Sequence, residues 1–167
     1  MDSFIRYFAY GSNMSLRRLR ERVPEAQALG SAILHGHELR FHKLGRDGSG
    51  KCDAYFVGDE AAYLIGVLFD IPLSGKGDLD RIEGLGAGYD EKIVSVLRKN
   101  GSWDKAVTYY ATDIVEVLQP YCWYKHHVLA GAAEFNLPTD YVTTIEAVEM
   151  VVDEDADRRT KEIAPYF

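Results

Sequence analysis

At 167 residues, with 47% hydrophobic and 27% charged side chains, the chain has the make-up of one globular domain, long enough to bury roughly 70% of its unfolded surface in a single core. Its net charge of −7, from 19 basic against 26 acidic residues, argues against a nucleic-acid partner, which asks for a basic face. No apolar run approaches the ~20 residues that cross a bilayer, Met1-Asp2-Ser3 shows no basic stretch ahead of a long apolar one, and Cys52 and Cys122 have neither framework nor metal-ligand spacing. The expectation is a cytoplasmic, reduced, single domain spanning residues 1–167, without membrane or nucleic-acid partners.

In chain order, the apolar and aromatic run of residues 4–10 reads as a buried strand that stops at Gly11 and gives way to Ser12-Asn13. A helical pattern follows from near Ser15, with Leu16, Leu19 and Val23 on one face and Pro24 beyond it. A strand, a glycine turn and a helix start leave backbone N–H groups unpaired, and Gly11 has no Cβ to block a close approach to the main chain. Such loops hold anions or developing negative charge, although an ordinary strand-to-helix turn has the same spacing, and neither GxxxxGK[ST] nor GxGxxG is present. Arg17, Arg18, Arg20 and Arg22 give the helix a basic face, read as solvated.

Residues 32–43 read as one strand, 45–50 as a flexible turn, and 52–57 and 63–71 as two further strands, the last closed by Pro72. A short helix starts at Ser74 or Asp78, turns Leu79 and Ile82 inward and stops at Gly84. Residues 89–98 and 103–112 form a hairpin around Asn100-Gly101, the strongest turn signal in the chain. Helices over 121–134 and 139–150, separated by Asn136-Leu137-Pro138, and an acidic tail leading into a short surface helix complete the chain. Hairpins in the middle and helices at the ends give an α+β fold with a small, mixed, mostly antiparallel barrel-like sheet and flanking helices.

Glu83 is the residue to single out for chemistry. A carboxylate in the last helical turn, just before the terminating glycine, faces the negative end of the dipole at a cost of about 0.3–1 kcal/mol, and a local rule broken without visible compensation is where function is sought. An exposed, screened glutamate would fit the same position. Asp80, three residues earlier, is expected to support the first turn of that helix. Tyr7, Tyr10, Tyr89 and Tyr124 suit a pocket wall or the core equally. His35, His37 and His42 lack ligand partners at metal spacing, and His126-His127 diverge by about 100° around their helix, so no metal is expected. A nucleophilic Ser12 lacks the GxSxG context.

Tyr7-Phe8-Ala9-Tyr10-Gly11-Ser12-Asn13, Leu79-Asp80-Arg81-Ile82-Glu83-Gly84 followed by Tyr89, and Tyr124-Lys125 leading to Gly131-Ala132 and Asn136-Leu137-Pro138 resemble the gamma-glutamylcyclotransferase (AIG2-like) family, in the family's order over residues 5–150. The resemblance implies that family's small mixed barrel, and release of 5-oxoproline from γ-glutamyl amino acids or amines, the chemistry of glutathione metabolism. It places the acid/base on Glu83 and substrate binding on Tyr7, Phe8, Ala9, Tyr10, Gly11, Ser12 and Asn13, with Tyr89 and Tyr124. It implies a small-molecule γ-glutamyl substrate, no cofactor, and room for a homodimer. A non-catalytic binding module and a hydrolase of γ-glutamyl amides are the alternatives. The loop between Glu83 and Tyr89 is shorter than expected, and residues 45–60 match no part of the family pattern.

Overall fold

The computed structural model describes residues 3–167; Met1 and Asp2, which the reading of the N-terminus included, lie outside the described residues. Strands β1 (Phe4–Ala9), β2 (Gln27–His35), β5 (Tyr63–Pro72), β6 (Tyr89–Arg98) and β7 (Trp103–Ala111) close a barrel in the order β1-β5-β2-β6-β7. All neighbours are antiparallel except β1 and β7, which close the barrel in parallel at Tyr7 and Val107. Phe8, Val67, Leu68, Phe69, Ile71 and Val96 are fully buried within it. A separate ribbon of β3 (His37–Leu44) and β4 (Gly50–Phe56) is tied to the barrel through Asp53, whose carboxylate accepts the Ala111 N–H at 2.7 Å and lies 2.6 Å from His42 Nε2.

The helices are α1 (Leu16–Arg22), α2 (Leu73–Glu83), α3 (Cys122–Glu134), α4 (Thr139–Glu146) and α5 (Ala156–Ile163). Ser15 caps α1 as its position suggests, accepting the Arg18 N–H at 3.5 Å. The single strand expected over residues 32–43 is instead two, because Gly36 takes φ +77, which turns the chain between β2 and β3. Neither Ser74 nor Asp78 caps α2, which begins directly after Pro72. Gly84 ends it as expected, in the left-handed conformation at φ 76. Leu79 is buried, but Ile82 faces out at 44% exposure, since only one stripe of this helix meets the barrel. The helix expected over 139–150 ends at Glu146, where the Val148 and Glu146 carbonyls turn to accept the Lys125 ammonium.

The acidic tail leads into a surface helix as expected, but its first residue is built into the fold. Asp153 is 1% exposed, receives the Trp123 indole N–H at 2.8 Å and is gripped by Arg158, the first residues of α5 being fixed by the Asp155 cap. Beneath α5, Arg18 Nη1 donates to both His127 Nε2 and Glu162 Oε2 at 2.8 Å, and His127 Nδ1 lies 2.5 Å from the Tyr166 hydroxyl. Burial holds His127 down at about 4, while His127 and Arg18 hold Glu162 down at about 2.

Two predictions follow from this packing. A Cβ at Gly131 would sit 2.6 Å from the Ser15 backbone nitrogen and 2.8 Å from the Met14 carbonyl carbon; Gly131→Ala is therefore expected to destabilise the protein by about 1–3 kcal/mol in urea unfolding, as overpacked sites do. Because His127 binds its proton more weakly folded than unfolded, its contribution is complete above about pH 6.5 and fades as the pH falls toward 4. Glu162 extends the loss from about pH 4.5 toward 2. The His127 step is on the order of 3 kcal/mol, and urea midpoints measured against pH should lose their slope between 6.5 and 4 in His127→Gln.

Candidate active site

The chain leaves β1 at Tyr10, turns at Gly11 and makes one 3-10 turn at Ser12–Met14 before α1. That turn's first bond runs from the Met14 N–H to the Gly11 carbonyl at 3.1 Å. The Ser12 and Asn13 amides precede it and face no carbonyl of their own turn, as at any helix start. Across from this loop, α2 delivers Glu83 as its last residue. Asn13 joins the two: its Nδ2 donates to Glu83 Oε1 at 2.5 Å and to the Tyr7 hydroxyl at 3.3 Å, while its Oδ1 accepts from Arg22 at 2.8 Å. Arg22 also approaches Glu83 Oε1 at 3.4 Å.

An inner recess of about 30 Å³ is lined by Tyr7, Tyr10, Gly11, Ser12 and Asn13 on the first-loop side, and by Cys52, Glu83, Tyr89, Tyr109 and Tyr124 opposite. Glu83 is the only carboxylate among the described residues that line it. It opens to an outer cavity of about 240 Å³ that shares Ser12, Glu83, Tyr89 and Tyr124. The tyrosines fix the walls. Tyr89 donates to the Cys52 carbonyl at 2.6 Å, Tyr124 accepts the Cys52 N–H at 2.9 Å, and Tyr10 donates to the Tyr109 carbonyl at 2.6 Å. Burial pushes the Tyr7, Tyr10, Tyr89 and Tyr124 phenols up, so they stay protonated.

Of the residues singled out from sequence, Tyr7, Tyr10, Gly11, Ser12, Asn13, Glu83, Tyr89 and Tyr124 meet at one recess. Phe8 and Ala9 do not line it; they are 0% and 1% exposed and belong to the hydrophobic core. The space beside Gly11 belongs to Cys52, whose Cβ lies 2.9 Å from where a glycine Cβ would stand. Asp80 does not support the first turn of α2 but accepts from Tyr109 at 2.6 Å and pairs with Lys76. No base among the described residues is hydrogen-bonded to the Ser12 hydroxyl, and no cluster of metal-ligating side chains is found among them. The basic face of α1 is not simply solvated: Arg18 is buried and Arg22 enters the site. Its spacing on the face shared with Leu19 and Val23 gave no signal of that, because both partners come from distant parts of the chain.

Fold and site together define a small closed barrel with one carboxylate and several hydrogen-bond donors gathered at a tyrosine-lined recess. The sequence profile of the AIG2-like family matches residues 63–145. Over 155 residues the chain is 32% identical to the gamma-glutamylcyclotransferase of Homo sapiens and 31% identical to that of Bos taurus, in each case covering 89% of this chain and 80% of the relative. A solved gamma-glutamyl cyclotransferase structure superimposes with a TM-score of 0.83 at 26% identity, over 95% of this chain and 99% of that one. The chain belongs to the gamma-glutamylcyclotransferase family and is an enzyme of that type.

Cys52 sits at the recess wall, yet it is no nucleophile: burial pushes its thiol up to about 12. Titration with a thiol reagent at pH 8 is expected to modify Cys52 only after denaturation, and fast labelling of Cys52 in the native protein would contradict this environment.

Proposed function

We propose that the protein releases 5-oxoproline from γ-glutamyl amino acids or amines, with Glu83 as general acid and base. The observation that carries this reading is the position of Glu83, the lone carboxylate of the recess, fixed by Asn13 beside the amides of the first loop. The reaction needs a proton removed from the substrate's α-ammonium, of pKa about 8, before its nitrogen can attack the γ-amide carbonyl. Glu83 takes that proton. The attack closes a five-membered ring, and such intramolecular steps reach effective molarities of roughly 10⁵–10⁸ M when the chain is held bent.

The tetrahedral intermediate bears an oxyanion, for which the Ser12 and Asn13 amides are the nearby unpaired donors. Collapse breaks the C–N bond, and Glu83 returns its proton to the departing amine. The α-nitrogen gives up two protons in all, one before the attack and one as it becomes the lactam amide, and the departing amine gains both and leaves as an ammonium. The same carboxylate carries each in turn, and no proton is gained or lost overall. The tyrosines around the recess stay protonated and supply no second base. Two unpaired cysteines and the net charge of −7 suit action in the reducing cytoplasm as one domain.

Glu83→Gln keeps the shape of the side chain and removes its basicity; 5-oxoproline formation from a panel of γ-glutamyl amino acids and amines should fall by about 10²–10⁴, with an unchanged fold by circular dichroism. Release of free glutamate instead of 5-oxoproline by the wild-type protein would establish a hydrolase.

A further inference from the structure

The inner recess, at about 30 Å³, has room only for the reacting atoms, so the departing half of a γ-glutamyl substrate must extend into the outer cavity of about 240 Å³. That cavity is strongly basic in an acidic protein. Arg18, Arg22, Lys43, Arg46 and Lys51 line it, against the carboxylates of Asp47 and Glu83. Most of this charge is already matched: Arg18 by Glu162, Arg22 by Glu83, and Lys51 by Asp47 at 2.9 Å. Two cations are not. Neither Lys43 nor Arg46 has a carboxylate within 4.0 Å or a side-chain hydrogen bond among the described residues.

Lys43 is the more telling, because it is only 7% exposed. Its stem is covered, while its ammonium is not among the buried unpaired atoms and reaches the cavity without a protein acceptor among the described residues. Its nearest partner is the Tyr89 ring, 4.7 Å away, and burial pushes its pKa down although Glu83 and Asp113 pull the other way. The ribbon register adds a like-charge contact. The β3–β4 pairing is interrupted between Arg40 and Lys43 and resumes with Lys43 directly opposite Lys51, so two like charges share one face of the ribbon. The loop after Glu83 makes room for both free cations: a Cβ at Gly88 would strike the Lys43 ammonium at 3.0 Å, and one at Gly84 would lie 3.8 Å from Arg46 Nη2. Two unmatched cations in a cavity open to the catalytic carboxylate are a site for an anionic ligand.

We propose that Lys43 and Arg46 form a leaving-group subsite that selects γ-glutamyl conjugates of acidic amines, those carrying two carboxylates, as a dicarboxylic amino acid does. This rests on the cyclotransferase reading and names the substrate class of the same site. One carboxylate per free cation satisfies both, and Lys43 and Arg46 become specificity-determining residues, Arg46 from within the segment 45–60 that matched no part of the family pattern.

The test compares γ-glutamylglutamate with γ-glutamylglutamine, which differ by one carboxylate replaced by its amide. In the wild-type protein kcat/KM for 5-oxoproline release should favour the glutamate conjugate by roughly tenfold or more, the worth of a hydrogen bond between charged groups. That preference should collapse toward unity in Lys43→Met and in Arg46→Gln, the latter at an exposed position that the fold does not depend on. Equal turnover of both conjugates by the wild-type protein overturns the subsite and leaves the cyclotransferase reading intact. An equal loss on both conjugates in Lys43→Met, with the preference preserved, assigns Lys43 to the glutamyl half and also overturns it. If neither conjugate yields 5-oxoproline, the functional reading fails by itself. Calorimetric titration of the wild-type protein with the two compounds then decides the subsite, tighter binding of γ-glutamylglutamate sustaining it and equal binding overturning it.

Discussion

The structure depends on a carboxylate held where its own helix repels it. Glu83 closes α2, facing the negative end of the dipole at a cost of about 0.3–1 kcal/mol. The Asn13 amide at 2.5 Å and Arg22 at 3.4 Å offset that cost, since a hydrogen bond to a charged group contributes about 1.5–3 kcal/mol. The same asparagine reaches Tyr7 and Arg22, so β1, the first loop, α1 and α2 are locked around one oxygen atom. An amide donor and a shared guanidinium orient the carboxylate while leaving Oε2 without a protein partner among the described residues. In the proposed mechanism that free oxygen is the one that takes the substrate's proton.

The tyrosines around it act mainly through where their hydroxyls are spent. Tyr89 and Tyr124 hold the carbonyl and the N–H of the same residue, Cys52, so β4 cannot slide relative to β6 and α3. Tyr10 reaches across to β7. Phenols kept protonated by burial are fixed dipoles, not proton carriers. Their rings supply apolar walls, and their bonds give the recess a shape that needs no ligand to form.

How much of this was legible in the sequence follows from how local each cause is. The hairpin turn at Asn100-Gly101 and the stop at Gly84 are written within a few residues, and the structure has both. Glu83 stood out because its conflict with the dipole is local too. The split between β2 and β3 was hidden because Gly36 lies inside an otherwise continuous extended pattern, and only pairing with β4 and β5 reveals the turn. Phe8 and Ala9 face opposite sides of β1, as neighbours in a strand do, and both are packed into the core, so the motif names more residues than the recess receives. Arg22 and Lys43 were hidden most deeply. Arg22 read as part of a solvated face and Lys43 only as the end of a strand, and barrel closure and the ribbon register bring them to the cavity of Glu83.

The charge arrangement also bears on how a turnover ends. In the proposed reaction a γ-glutamyl substrate presents an ammonium to Glu83; after ring closure that nitrogen is an uncharged lactam amide, and the attraction disappears with the chemistry. The departing amine would take up the protons that the α-nitrogen gives up and become an ammonium in a cavity already lined by Arg18, Arg22, Lys43, Arg46 and Lys51. In the proposed subsite its new charge is repelled where its carboxylates are held. Both products would thereby be bound less well than the substrate that gave rise to them, without any movement of the protein. One carboxylate at the reacting centre and an excess of fixed cations beyond it would thus discriminate between substrate and product through the position of protons alone.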